Sequence, residues 1–114
     1  MQTTMESRLI YIANEKMKTK VTWSKSGDTE WIYFGAAEEV NTNIVLQKIN
    51  FHFSETKLYI SHTRKDSFET EKNIILDSIK NILGFEDFVI WNTSFTKAIE
   101  FNKIGVLRYG EIYS

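Results

Sequence analysis

The stretch from Phe88 to Phe101 constrains the fold more tightly than any other part of the chain. Phe88 and Ile90 alternate with Val89 and Trp91, and Ile99 and Phe101 alternate with Ala98 and Glu100. Side chains on a strand point to opposite faces with a period of two. Pairing Ile90 with Ile99 and Phe88 with Phe101 therefore gathers four large apolar residues on one face. What is left between the strands is a four-residue loop, Thr93-Ser94-Phe95-Thr96. A slip of one residue would split the apolar set between two faces, so burial sets the register. Val89, Trp91 and Ala98 must then face the other way.

The same reasoning predicts further strands. Residues 18–24 alternate, with Val21 and Trp23 on one side; Ser26-Gly27-Asp28 is a turn signal, and Trp31 to Phe34 is apolar on both faces. These two segments are expected to form a hairpin. Ile49, Phe51 and Phe53 alternate with Asn50 and His52, and Leu58 and Ile60 follow after Ser54-Glu55-Thr56-Lys57. A second hairpin is expected here, pairing Phe53 with Leu58, Phe51 with Ile60 and Ile49 with His62. A turn at Asn102-Lys103-Ile104-Gly105 returns the chain into a last strand from Val106 to Ile112. Residues 36–46 suit helix or strand, and Leu9 to Ile12 is an apolar run with no assigned element.

From Ser67 the period changes. Ile75, Ile79, Ile82 and Leu83 fall on one helical stripe, with Phe68 and Leu76 at its margins. Asp66 followed by Glu69 has the form of a capping box, and Gly84 is a natural terminator, so a helix is predicted over residues 67–83. The fold class is α+β. We expect a mostly antiparallel sheet of about seven strands, built from hairpins, with one long helix packed on one face in a single domain over residues 1–114. One helix cannot cover so wide a sheet. Either the sheet curls toward a half-barrel, or its second face is open to a partner. Phe51, Phe53, Leu58, Ile60, Ile75, Ile79, Ile82, Phe88, Ile90, Ile99 and Phe101 are expected to form one core.

Composition narrows the function. At 114 residues, with 42% apolar and 25% charged side chains, the chain can bury one ordinary core. It contains no cysteine, which excludes disulfides, a thiolate nucleophile and thiolate-bound zinc, and a reducing cytoplasm is the expected location. No apolar run approaches membrane-spanning length. A formal net charge of −1 argues against general binding to nucleic acid or an anionic membrane.

Residues that could carry chemistry are few. His52 and His62 are the two imidazoles, and the expected hairpin puts them on opposite faces, which argues against a two-histidine site. Glu38-Glu39, the group Asp66, Glu69 and Glu71, and Glu86-Asp87 read as solvated surface. There is no Gly-rich phosphate loop, nucleophile elbow or metal-ligand spacing, so no catalytic residue, cofactor or metal is assigned. Lys16, Lys18 and Lys20 share one side of a predicted strand, where lysines guard an edge against pairing with another sheet. The leftover aromatics are more suggestive. Trp91, Tyr59 and Tyr109, away from the predicted helix or on the last strand, are candidates for a protein-binding surface; the competing explanation is a second small core against the N-terminal segment.

The expected function is that of a non-enzymatic, cytoplasmic protein-binding module. Its partner would be another protein, a toxin among the possibilities, or a second copy of the chain. Being small, single-domain, cysteine-free and without catalytic motifs, the chain resembles bacterial immunity or antitoxin-type inhibitors in class, with no family motif to go with it. The alternative is a small-ligand-binding or metal-independent enzymatic domain, with a pocket between helix and sheet lined by Trp23, Trp31, Tyr33 and His62. RNA binding through Lys16, Lys18, Lys20 and exposed aromatics is a weaker third reading.

Overall fold

The computed structural model describes residues 5–25 and 27–113; Ser26 of the expected turn and the first four residues lie outside the described residues. The fold is α+β, a seven-stranded antiparallel sheet with helices packed against it. The strands are β1 (Thr22–Trp23), β2 (Ile32–Tyr33), β3 (Lys57–Thr63), β4 (Asp66–Glu71), β5 (Phe88–Asn92), β6 (Lys97–Asn102) and β7 (Val106–Glu111). Their order is β1-β7-β6-β5-β3-β4, with β2 also paired to β7. Three helices replace the single long one: α1 (Met5–Met17), α2 (Thr42–His52) and the short α3 (Ile75–Ile79).

The central hairpin forms in the expected register, with Phe88 opposite Phe101 and Ile90 opposite Ile99, and β7 follows as predicted. The strand expected over residues 49–53 is instead the end of α2. Asn41 caps that helix, its Oδ1 accepting from Asn43 N–H at 3.1 Å and Ile44 N–H at 3.3 Å. Val45, Ile49 and Phe53 are fully buried at a spacing of four, which suits a helix and its cap as well as 49, 51 and 53 suit a strand. Phe51 lies off that stripe and is 76% exposed, so it leaves the predicted core.

The other large correction is the helix predicted over residues 67–83. Its first third is β4, which pairs with β3 so that Phe68 faces Ile60 and Thr70 faces Leu58. The capping box does not form. Ser67 Oγ donates to the Thr63 carbonyl at 2.7 Å and accepts from His62 N–H at 3.1 Å, fastening the β3–β4 turn, while Asp66 lies 3.3 Å from His62 Nδ1. The helical stripe survives in part. Ile75, Ile79, Ile82 and Leu83 are all buried, and Gly84 ends the run at φ +83°. The hairpin expected between residues 18–24 and 31–34 is also absent. Both segments pair with β7, β1 at Gly110–Glu111 and β2 at Val106–Leu107, as two short pieces of one edge interrupted by a loop.

Two cores result. The larger holds the α2 and α3 side of the sheet, including Ile90, Ile99, Phe101, Leu58 and Ile60. The smaller, on the reverse face, contains Val89, Trp91 and Ala98 with Met17, Val21, Trp23, Tyr59, Phe95 and Ile112 around them. The reverse face is therefore covered by α1 and the segment that follows it, in the manner of the second-core alternative. Gly110 permits the close approach of β1: a Cβ there would lie 2.3 Å from the Thr22 carbonyl oxygen.

The reassignment of residues 49–53 can be tested by two alanine substitutions. Phe53→Ala empties a fully buried site and should cost about 3–5 kcal/mol in chemical denaturation. Phe51→Ala removes an exposed ring whose described aromatic contact is edge-on to Tyr109, and should cost about 1 kcal/mol or less. Equal losses would restore the strand.

Candidate functional site

Helix α1 is turned the unusual way round. The residues it buries are Ser7, Ile10 and Asn14. Met5, Leu9 and Ile12, spaced i, i+4 and i+7, are 68%, 58% and 50% exposed. At about 100° per residue they form one stripe on the side of the helix opposite the buried line. What holds α1 on the sheet is largely polar. Ser7 Oγ donates to the Arg64 carbonyl and accepts from Ser67 N–H, both at 2.9 Å. Glu6 Oε1 accepts from Glu69 N–H at 3.2 Å, and Asn14 Oδ1 accepts from the indole N–H of Trp91 at 2.8 Å. Two of these bonds engage main-chain N–H groups of the edge strand β4, which would otherwise offer a template for another strand.

Along one flank of α1 runs an apolar groove of about 580 Å3, lined by Leu9, Ile10 and Ala13 from the helix and by Tyr59 and Phe95 from the sheet, with Glu6 at its end. Phe95 sits in the β5–β6 loop at φ +55°, a left-handed backbone that a bulky side chain seldom adopts. Its ring stacks on Tyr59 at 5.2 Å and lies 5.3 Å from Trp91. The buried Asn92 builds this loop. Its Oδ1 accepts from the N–H groups of Thr96 and Lys97 at 2.8 and 2.9 Å, and its Nδ2 donates to Thr96 Oγ1 and Glu55 Oε2. These bonds hold the strained residue in place and with it the groove wall.

Along the other flank lies a polar cleft of about 180 Å3. Tyr11, Asn14, Glu15 and Lys18 come from α1 and the turn after it, and Ser61, Val89 and Glu100 form a row across β3, β5 and β6. Glu100 is held from two sides, with Lys18 Nζ at 3.3 Å and Arg108 Nε at 2.6 Å. Arg108 also reaches Glu30 at 2.7 Å, and its guanidinium lies 4.2 Å from the Trp23 ring centroid and 4.6 Å from that of Trp31. A hydrogen bond from Tyr11 to Glu15, and then the charge of Glu15, push the phenol above its ordinary range.

The residues singled out from sequence are distributed differently from expectation. Trp91 is fully buried beneath α1 and is out of reach of a partner. Tyr59 is half-buried and lines the apolar groove. Tyr109 is half-buried on the opposite face of the sheet, against Phe51 and His52, so the three do not form one surface. Trp23, Trp31, Tyr33 and His62 do not share a pocket either: the two tryptophans clasp Arg108, Tyr33 is exposed, and His62 lies between Asp66 and Glu86. Lys16 belongs to α1, and Lys18 and Lys20 to the helical turn after it, not to a strand edge. The Met5, Leu9 and Ile12 stripe was missed, although its helical spacing is present in the sequence. The polar cleft has no local signature, because its residues come from α1, the turn after it and the three strands β3, β5 and β6. Among the described residues, no group of three or more histidine and acidic side chains could hold a metal ion, and no helix is long and apolar enough to cross a membrane.

His52 ends α2, and its Nε2–H donates to the Gly110 carbonyl at 2.9 Å, tying the helix to β7. Burial lowers its pKa below the ordinary 6.5, against the raising effect of that hydrogen bond. The unfolded chain therefore takes up this proton more readily than the folded one. The contribution of His52 is complete above 6.5 and declines as pH falls below it. Urea midpoints measured across this range should fall for the wild type, and the fall should be smaller in His52→Gln, which keeps a donor but cannot titrate. Superimposable pH profiles would refute this.

Compared with protein-family models, with curated proteins and with solved structures, the chain matches none of them.

Proposed function

We propose that the chain is a non-enzymatic protein-binding module that receives an amphipathic helix of another protein along the outer face of α1. The observation that carries this reading is the exposed apolar stripe of Met5, Leu9 and Ile12, set opposite a buried line that contains two polar residues. A helix folding only for its own domain would turn its apolar side inward. The groove beside the stripe, walled by Tyr59 and Phe95, gives a partner's side chains somewhere to enter. A helix is the better fit than a strand. The β4 edge has two N–H groups engaged by Ser7 and Glu6, and the opposite edge consists of two-residue strands. Helix-in-groove recognition asks for side-chain anchors at i, i+3 or i+4, and i+7, which is the spacing α1 itself presents.

Within this class, the finer proposal is a cytoplasmic immunity or antitoxin-type inhibitor whose partner is a toxin. A blocking protein needs a stable scaffold and a docking face and no reacting groups, which is consistent with α1 and the sheet beneath it.

The test separates binding from folding. Leu9→Glu and Ile12→Glu lie on an exposed face and should shift stability by about 0.5 kcal/mol or less. A photo-crosslinking residue at Met5 should capture a discrete protein, and Leu9→Glu should weaken that binding by about 2 kcal/mol or more. Undiminished capture, or a loss of several kcal/mol in stability, would contradict the proposal. Sedimentation adds a further arm: a dimer dissolved by Leu9→Glu would assign the face to a second copy. The finer reading predicts a toxin encoded beside this gene that the wild type suppresses and the Leu9→Glu variant does not.

A further inference from the structure

We propose that the polar cleft on the Tyr11 flank of α1 binds a small organic cation, a primary alkylammonium. Two independent observations support a ligand there. The first is a hidden hydroxyl. Ser61 is 3% exposed, lines the cleft, and its Oγ has no hydrogen-bond partner among the described residues. Buried polar atoms are rarely left so, because the bond to water that is lost on folding is then not replaced. The second is the charge balance. Three carboxylates, Glu15, Asp87 and Glu100, line the cleft against one lysine, Lys18.

Hydrogen-bonding capacity narrows the ligand further. Glu100 has both oxygens engaged, Oε2 by Lys18 and Oε1 by Arg108, so the lysine's charge is already answered and gives little attraction to an anion. Asp87 spends Oδ1 on the N–H of Lys103 at 2.8 Å. The remaining acceptor sites of Glu15 and Asp87 suit a group with three N–H donors and a positive charge. Val89 on the floor between Ser61 and Glu100 offers an apolar surface to a short alkyl chain. The volume of about 180 Å3 is close to that of a cavity of about 150 Å3 that holds benzene, so a ligand of five to eight heavy atoms fits.

The cleft and the apolar stripe lie on different sides of α1, and neither proposal depends on the other. The experiment is an NMR titration of the uniformly labelled chain with n-butylammonium chloride, alongside sodium butyrate and 1-butanol at matched ionic strength. Saturable amide shifts at Ser61, Val89 and Glu100 are expected with butylammonium and not with the other two. Glu15→Gln, on the exposed side of the helix, should weaken binding about tenfold or more. Ser61→Ala should weaken it severalfold while leaving the melting temperature unchanged or raised, because it deletes an unpaired group. The proposal fails if the shifts do not saturate, if butyrate or butanol produces the same pattern, or if both variants bind as the wild type does.

Discussion

An indole N–H sealed inside a protein needs an acceptor, and Trp91 finds one in Asn14 at 2.8 Å. That bond sets the rotation of α1, because placing Asn14 against the sheet leaves Ser7 and Ile10 inward and Met5, Leu9 and Ile12 outward. The consequences reach both ends of the helix. Near its start, Ser7 and Glu6 engage two N–H groups of β4 and blunt that edge. Near its end, Lys18 arrives beside Glu100 and closes the polar cleft. Both candidate sites are thus flanks of one helix whose orientation is set by a single buried donor.

The β1 end of the sheet is organised around β7. Arg108 lies between the rings of Trp23 and Trp31 while its nitrogens meet Glu100 and Glu30, so a planar cation joins β1, the loop before β2 and β6. A lysine could supply the charge but not the flat, forked geometry that stacks and pairs at once. Gly110 leaves room for β1 on one side, and its carbonyl accepts the His52 N–H that ties down α2. The α1 side and the α2 side of the sheet are therefore mechanically joined through one strand.

How far the sequence was legible follows from how locally each element is determined. The β5–β6 hairpin was readable because Phe88, Ile90, Ile99 and Phe101 meet across a short loop and must share a face. Residues 49–53 were not, since Ile49 and Phe53 satisfy both a period of two and a spacing of four, and the Asn41 cap that decides the matter lies eight residues upstream. Residues 67–71 carried a helix-start signature in Asp66 and Glu69, yet Phe68 and Thr70 have the aromatic and branched character of a strand, and pairing with β3 prevailed. Of the predicted binding residues, Tyr59 does line a groove. Trp91 could not have been placed without α1, whose buried Ser7 and Asn14 run against the usual inward-apolar pattern that sequence reading relies on.

The account rests on α1 being docked through Asn14 with its apolar side outward. Hydrogen exchange at the Trp91 indole nitrogen, followed by NMR beside Trp23 and Trp31, tests this most directly. A docked helix predicts a Trp91 N–H that exchanges slowly in the wild type, as a fully buried donor should, and markedly faster in Asn14→Ala. A Trp91 signal that exchanges as fast as an exposed indole in the wild type, or one unchanged by the loss of Asn14, would show that α1 does not sit on the sheet in this way.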